Sequence, residues 1–469
     1  TAAQVSRWFD TSLKRGDGSG AAVQTENVVK ELIDGPESFK EMVRVIRTAG
    51  GAGHFIYMLN WWMTDNFALV PGDPTSRLDA LLSKASKAGV EVRAMLWDQV
   101  GTQNNDEVTH INQLATGAAI VDNLTLNFGS HHQKILIVKG SEGIIAFCGG
   151  IDFNEDRIAA LARQAGSPMH DVHCRIQGPA AGSLLQTFIE RWNGHSAVKK
   201  LPAKKQTLLG AGIALPLPGA GGTSAVQIGR TYGNGAAHAG IGGVPFFTKG
   251  YTFAPNGETT ARGMFLQAIR QAKKFIYIED QYLVSMQASG ALLAALPNIE
   301  HLTILIPHGS ISDLPQGNYR RQQFIAPLKK WDKDHGTNKV RIFYLKPPGN
   351  EHTYVHSKTW IVDDEFAIIG SANCNRRSWT HDSEVTAGIC DQGNDQGRRF
   401  AHRLRIKLWA EHLGLDPTQD ELKLVSGIGS AALWLKPPDG AKIAPYDENA
   451  DIERIHTDTA WNTEDPDGS

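Results

Sequence analysis

The chain has 469 residues, with 47 Lys and Arg against 49 Asp and Glu and a formal net charge of −2. That length supports two or three domains with a large core, and the even charge balance argues against the broad basic surface of a nucleic-acid-binding protein. Cys148, Cys174, Cys374 and Cys390 form no CxxC or zinc spacing and sit in or beside apolar runs, so buried free thiols are expected; no run is long enough to span a bilayer, and residues 1–10 lack a signal-peptide pattern.

In chain order, Phe39, Met42, Val43 and Ile46 fall at helical spacing between Gly35-Pro36 and Gly50-Gly51. Phe55 to Leu59 reads as a strand leading into Asn60-Trp61-Trp62, Ser76 to Lys87 as a helix and Val90 to Trp97 as the next strand. Residues 195–223, rich in Gly, Ala, Pro and Leu, read as a linker. The second half repeats the order. A helix at Phe265 to Ala272 precedes a strand at Phe275 to Ile278, which echoes the earlier Phe-Ile-Tyr. A helix at Leu292 to Leu296, a strand at Leu302 to Ile306, a helix near Arg320 to Trp331 and a strand at Val340 to Leu345 follow. Alternating helices and strands predict α/β layers, and an order that recurs at long interval predicts an internal duplication.

Each half then carries the same grammar. His131-His132-Gln133-Lys134 precedes Ile135 to Val138, a second apolar run at Ile144 to Phe147, and Gly149-Gly150-Ile151-Asp152. Tyr354-Val355-His356-Ser357-Lys358 precedes Thr359 to Val362, Asp363, Phe366 to Ile369 and Gly370-Ser371-Ala372-Asn373. In an extended segment, His and Lys two apart point to one face. That pair suits work on an anion, because imidazole can attack or move a proton near neutral pH and an ammonium offsets phosphate charge. One HxK is a weak signal; two in matched settings are strong. His170-Asp171-Val172-His173 and His381-Asp382-Ser383-Glu384 form a second matched pair, each followed by a strand and a Trp-bearing helix.

His356-x-Lys358-x4-Asp363 with Gly370-Ser371-x-Asn373 and Arg377-Ser378 resembles the HKD signature of the phospholipase D superfamily, and residues 354–378 are most similar to the eukaryotic-type enzymes and their bacterial relatives. The first copy departs from it: Lys139 stands where the motif Asp belongs, residues 139–143 read as a lengthened turn, and Asp152 stands where the second copy has Asn373. The resemblance covers most of residues 38–415. It implies two α-β-α sandwich lobes related by pseudo-two-fold symmetry with the active site at their interface. The expected divisions are 1–195 for the first lobe, 196–223 for the linker, 224–415 for the second lobe and 416–469 for an extension ending in an acidic tail, Asn462 to Ser469.

By that resemblance His132 is the nucleophile and His356 the general acid, with Lys134, Lys358 and Asn373 on the phosphate oxygens. Each histidine needs an acceptor on its far nitrogen. Asp171 is expected on the His132 side, and Asp382 or Glu384 on the His356 side. Asp363 is expected to be structural. Asp152, Ser371, Glu279, Gln281, Trp61 and Trp62 are the candidate substrate-binding residues; an ionised Asp152 repels phosphate oxygens, so its carboxylate is expected to face a lysine or backbone donors. No metal or other cofactor is implied, since carboxylates and thiolates show no ligand spacing.

The reading is a phospholipase D that releases phosphatidic acid and a headgroup alcohol through a phosphohistidine, with transfer to alcohols as a side reaction. Its rivals are a phosphatidyltransferase, a nuclease-like phosphodiesterase, and an anionic-lipid binder without turnover. The expected partner is a phospholipid at a membrane surface and not nucleic acid, with the protein monomeric and peripheral to the membrane. A compact bacterial form is expected, secreted or delivered as a toxin, in the latter case with an immunity protein. Lys199, Lys200, Lys204 and Lys205 read as a solvated face or as contacts to lipid phosphates. Phe246, Phe247, Tyr251 and Phe253 in the glycine-rich stretch 233–257 either pack on their own lobe or lean on acyl chains.

Overall fold

The computed structural model describes residues 6–98, 104–126, 129–158, 169–234, 251–308, 317–347, 349, 353–391 and 399–446. Phe246, Phe247 and the acidic tail at 462–469 lie outside the described residues.

The first half runs β1 (Val23–Ile33), α1 (Asp34–Ile46), β2 (Phe55–Asn60), α2 (Leu78–Lys87), β3 (Glu91–Trp97), α3 (Asn105–Gln113), β4 (Gly117–Asp122), β5 (Ile135–Gly140), β6 (Gly143–Gly149), β7 (Met169–His170), β8 (Val172–Gln177) and α4 (Pro179–Gly194). The second half runs β9 (Ser224–Tyr232), β10 (Glu258–Thr259), α5 (Thr260–Gln271), β11 (Phe275–Glu279), α6 (Met286–Ala295), β12 (His301–Leu305), α7 (Gly317–His335), β13 (Val340–Leu345), β14 (Tyr354–Val355), β15 (Thr359–Val362), β16 (Phe366–Gly370), α8 (Arg376–Thr380), β17 (Glu384–Asp391), α9 (Phe400–Leu413) and β18 (Ile443–Pro445).

All but β7 and β14, which pair with each other, form one sheet in the order β4-β3-β2-β5-β6-β8-β1-β9-β17-β16-β15-β11-β12-β13-β18, with β10 paired to β9 beside this path. The order is a palindrome about the β1–β9 junction, apart from the added β18. In each half, three parallel strands (β2-β3-β4 and β11-β12-β13) adjoin an antiparallel hairpin (β5-β6 and β15-β16). This is the duplicated fold of two α-β-α lobes.

Alternation along the strands divides the core. Ile137 and Ile361 face a layer built on α4 and α9 that runs continuously through both lobes. Leu136 and Val138 face α1 and α2, while Trp360 and Val362 face α5, α6 and α7. Trp192 and Trp409, the tryptophans of α4 and α9, are both fully buried in the shared layer.

The two hairpins turn differently, and this explains the altered first motif. Asp363 and Asp364 both have positive φ, and the buried Asp363 carboxylate accepts from the backbone N–H groups of Lys273 (2.9 Å), Lys274 (2.7 Å) and Phe275 (3.0 Å) and from Arg7 (2.7 Å). It ties the hairpin tip to the start of β11, at the end of the sheet away from His356. In the first lobe the strands run on until Gly140 pairs with Gly143, so the expected long turn is a tight one. Lys139 is an ordinary strand residue paired with Phe55 and Ile144, and the tip is held by Ser141 donating to the Thr48 carbonyl (3.1 Å).

The linker region is folded onto the first lobe through buried Leu208 and Leu217, and Trp434 in the region after α9 is buried against Tyr277, Phe343 and Trp409. Tyr251 is buried on Tyr232 and Phe253, so these aromatics of the glycine-rich stretch pack within the protein. All four cysteines are buried free thiols, with Cys148 Sγ and Cys174 Sγ 3.7 Å apart. Among the described residues no helix is long and apolar enough to cross a membrane.

Candidate active site

The carboxyl ends of β2 and β11 open into a cleft of about 490 Å³, where α/β sheets commonly bind ligands. Trp61, Trp62, Trp97, His132, Arg157, Gln281, Tyr282, Tyr354, His356, Asn373 and Arg377 are among its walls. Both HxK histidines therefore face one space, one from each lobe.

Two short backbone bridges bring them there. Met169 and His170 of β7 pair in parallel with Tyr354 and Val355 of β14, and the His356 N–H donates to the His170 carbonyl at 2.8 Å. In the twin arrangement, His131 bridges Ser383 in parallel, and the His132 N–H donates to the Ser383 carbonyl at 2.9 Å. Each bridge joins opposite lobes, so the residue after each bridge meets the acid of the other lobe.

The acid partners are consequently crossed relative to the sequence expectation. His356 Nδ1 lies 2.7 Å from Asp171 Oδ2, and His132 Nδ1 lies 3.0 Å from both Glu384 oxygens. Asp171 does not serve His132, and Glu384 does not serve His356. Asp382 serves neither ring: its carboxylate accepts from Arg377 at 2.8 and 3.0 Å and from the Ser130 N–H at 2.7 Å. Sequence alone shows each HxK nearest the acid of its own half, which is why the exchange is invisible there.

Burial, with Lys134 and Lys358 close by, holds His132 well below the ordinary histidine value, and burial with Lys358 and Arg157 does the same to His356. Burial and the neighbouring Asp382 push Glu384 up to about 8. The Nδ1 contact with Glu384 fixes the His132 ring and leaves its Nε2 for chemistry on the cleft side.

The two lysines differ. Lys134 Nζ is 3.2 Å from Asp152 Oδ2 and lies 5.8 Å from the centre of the Trp61 ring. The other Asp152 oxygen accepts from the backbone N–H groups of Trp61 (3.0 Å) and Trp62 (3.2 Å). Asp152 thus faces a lysine and backbone donors, and it is not a wall of the cleft. Lys358 donates to Gln281 Oε1 (2.8 Å) and to the His356 carbonyl, both neutral acceptors. Burial pushes Lys358 down to about 7, with Lys134 and Arg157 adding to the effect against Asp171 and Asp280.

Asn373 lines the cleft, and its Oδ1 is buried without a hydrogen-bond partner among the described residues. Two other expected substrate contacts fall elsewhere. The Ser371 hydroxyl bonds to Glu384 and accepts from the Val385 N–H (3.0 Å), so it braces the acid instead of touching substrate. Glu279 is fully buried behind the cleft, bonded to His170 (3.0 Å), His412 (2.9 Å) and Tyr277 (2.7 Å); it is the last residue of β11, and beyond it the chain leaves the strand and carries Gln281 to Lys358. Trp61 and the 40% exposed Trp62 are cleft walls, not core.

Sequence reasoning missed Arg157, Asn375 and Trp97, which line the same cleft. Arg157 follows Asp152 by five residues and ends a single 3-10 turn (Glu155–Arg157), too short for any periodicity to mark it. Arg377 was visible in the motif without an evident task; its guanidinium lines the cleft while held by Asp382. Among the described residues, two groups of side chains lie close enough to hold a metal ion, His170–Glu279–His412 and Asp34–His170–Glu411, and within them His170 bonds Glu279 and Asp34 and Glu279 bonds His412.

Two convergent imidazoles with buried acids behind them and two ammonium groups beside them form a site of phosphodiesterase type. The comparisons with known proteins agree. Residues 152–291 match the family described as Phospholipase D, and residues 265–404 match the one described as Cardiolipin synthase, PLD-like domain. Phospholipase D alpha 2 of Arabidopsis thaliana is 25% identical over 522 residues, covering 79% of this chain and 64% of that protein. A Cardiolipin synthase of Staphylococcus aureus is 26% identical over 387 residues, covering 80% of this chain and 66% of that protein. The chain thus spans just under two thirds of the length of these relatives. The fold is shared with the crystal structure of phosphatidylserine synthase from Haemophilus influenzae Rd KW20, with a TM-score of 0.56, 12% identity and 92% of each chain covered. With the two family matches together spanning residues 152–404, relatives aligned over about four fifths of the chain and the paired HxK histidines facing one cleft, the chain belongs to the phospholipase D, or HKD, superfamily.

Proposed function

We propose that this protein cleaves the headgroup phosphodiester of a glycerophospholipid by double displacement, as a phospholipase D. One observation carries the reading: two buried imidazoles, each fixed at Nδ1 by an acid of the other lobe, face one cleft beside Lys134, Lys358 and Asn373. His132 Nε2 attacks phosphorus while the bond to the headgroup oxygen breaks, and protonated His356 gives that oxygen its proton. Water then attacks the phosphohistidine, losing a proton to His356 as the P–N bond breaks. Phosphatidic acid and the free alcohol result. Splitting the reaction replaces one slow attack by water with two easier steps. The lysines and the Asn373 amide hold the charge that spreads over the non-bridging oxygens.

His356 must be protonated in the first step although its free-state value is depressed. A bound phosphate anion beside Lys358, Lys134 and Arg157 offsets their charge and raises it. A second reading, phosphatidyl transfer to an alcohol, differs only in the acceptor of the second step. It is favoured by the Cardiolipin synthase, PLD-like domain match over residues 265–404. Release of labelled headgroup from a lipid panel, with a short alcohol present, tests both. Phosphatidic acid alone supports the hydrolase, and predominant alcohol ester supports the transferase. In either case His132→Ala should lose activity by roughly 10⁴-fold or more. His356→Ala should accumulate the phosphohistidine on substrates with a p-nitrophenol leaving group, which needs no acid. Absence of release from every lipid, or activity surviving in His132→Ala, would sink the proposal.

A further inference from the structure

Behind the cleft lies a buried ionic cluster that the chemistry above does not use. His170 Nδ1 is 2.9 Å from Asp34 Oδ1, and its Nε2 is 3.0 Å from Glu279 Oε2. Asp34 begins α1 in the first lobe and Glu279 ends β11 in the second, so the ring spans the two lobes. A carboxylate oxygen only accepts, so a ring facing one from each nitrogen must donate from both, which makes it an imidazolium.

The surroundings agree. Glu279 also accepts from Tyr277 (2.7 Å) and bonds His412 Nε2 (2.9 Å), while Glu411 and Lys442 border a small recess beside His170 and His412. Burial works against a charged His170, but Glu279 and Asp34 outweigh it and hold the ring well above its ordinary value. Burial and Asp34 push Glu411 up, and burial lowers His412, so His170 is the cation of the cluster that directly bridges two carboxylates.

The position of this cation gives it a task. Asp34 Oδ1 also accepts the Asp171 N–H (3.0 Å), and the Asp34 N–H donates to the Asp171 carbonyl (2.8 Å). The His170 carbonyl accepts the His356 N–H at 2.8 Å, and the next side chain, Asp171, holds the His356 ring. The strand that carries Glu279 delivers Gln281 to Lys358. The twin position in the other half-site is Ser383, bonded to Arg191 (2.9 Å) and Tyr251 (3.0 Å), and Arg191 stays charged throughout the working pH range.

We propose that His170 is a positioning residue: as an imidazolium locked between Asp34 and Glu279, it joins the lobes and sets the Asp171–His356 pair. It has no contact with substrate. The lock is present at neutral and acid pH and is lost when alkaline pH removes the His170 proton, so it confers an alkaline limit on the His356 half-site alone.

The effect on turnover rests on the phosphodiester-cleaving reading, whereas the charge of His170 can be read without it. The full chain carrying [¹³Cε1]histidine should show one imidazolium resonance that persists between about pH 6 and 8.5 and vanishes in His170→Gln. A resonance titrating near the ordinary value of about 6.5 overturns the lock, as does a stoichiometric metal ion in the purified protein. On substrates with an alkoxide leaving group, His170→Gln should lower kcat by roughly 10- to 100-fold with KM little changed, and on p-nitrophenyl substrates by under about 3-fold. Equal losses on both would mark a merely structural residue and overturn the positioning role. Glu279→Gln keeps the shape of the cluster while removing its charge, and should move the alkaline limit to lower pH. If the wild type cleaves no phosphodiester, the functional reading falls while the resonance still decides the lock.

Discussion

The two half-sites share a scaffold but not an electrostatic design. On the first side, Glu384 is pushed up to about 8 and braced by Ser371, and Lys134 is matched by Asp152 at 3.2 Å. On the second, Asp171 sits 2.7 Å from its histidine, and Lys358 donates to the neutral oxygens of Gln281 and the His356 carbonyl. Duplication supplied two equal HxK strands, and their neighbours then divided the work. Both rings are held well below the ordinary histidine value, but the first lysine is paired with a carboxylate while the second donates to neutral oxygens. Under the proposed double displacement the two half-sites have different tasks, since one histidine would attack and the other would move protons.

The acids give the widest contrast. Glu384→Gln should cost roughly 10²- to 10⁴-fold in kcat for every leaving group, because the attacking ring loses its orientation. Asp171→Asn should cost a similar factor for alkoxide leaving groups and under about 10-fold for p-nitrophenol, which leaves unaided. Steady-state rates on the two substrate types check this, and equal sensitivity of both variants to the leaving group would erase the assigned asymmetry.

Next comes the pair of hairpin tips. Asp363→Ala strands three backbone donors and Arg7, and should destabilise the protein by about 2–3 kcal/mol. Lys139→Asp, which restores the motif letter in the first copy, should change stability by less than about 0.5 kcal/mol, since the tip there is held by backbone. Denaturant unfolding of the two variants measures both.

The smallest effect separates the lysines. Lys358 has a depressed value of about 7, so it is charged below that pH and neutral above it. Inhibition by sulfate, whose own charge is fixed across this range, should therefore weaken several-fold as pH rises through about 7. Lys358→Arg, which stays charged, should flatten that dependence, and a profile unaltered in this variant would assign the titration elsewhere.

Much of this was legible in the sequence where the signal is local. The strands at Phe55, Phe275, Ile135 and Thr359 are short apolar runs bounded by breakers, and α1, α4 and α9 carry apolar faces at helical spacing. The central strands β1 and β9 escaped notice. β1 mixes Glu, Asn and Lys with valines and is irregular between Gln24 and Asn27, so no clean alternation marks it, yet it forms the lobe junction with β9. Glu279 and Gln281 looked alike as candidates, and only the end of β11 separated them: Glu279, its last residue, bonds His170, while the chain beyond it carries Gln281 to Lys358.

The sequence by itself determined the duplication, the two HxK strands and the likeness of the two halves, because side-chain period and turn residues act over a few neighbours. Tertiary structure alone decided which acid serves which histidine, that Ser371 and Glu279 stand behind the cleft, and that Lys139 leaves the first hairpin intact. The exchange of acids depends on β7 pairing with β14, and His131 with Ser383, across more than one hundred and eighty residues of chain. Contacts between segments that far apart are set by how the two lobes pack, which local periodicity does not encode.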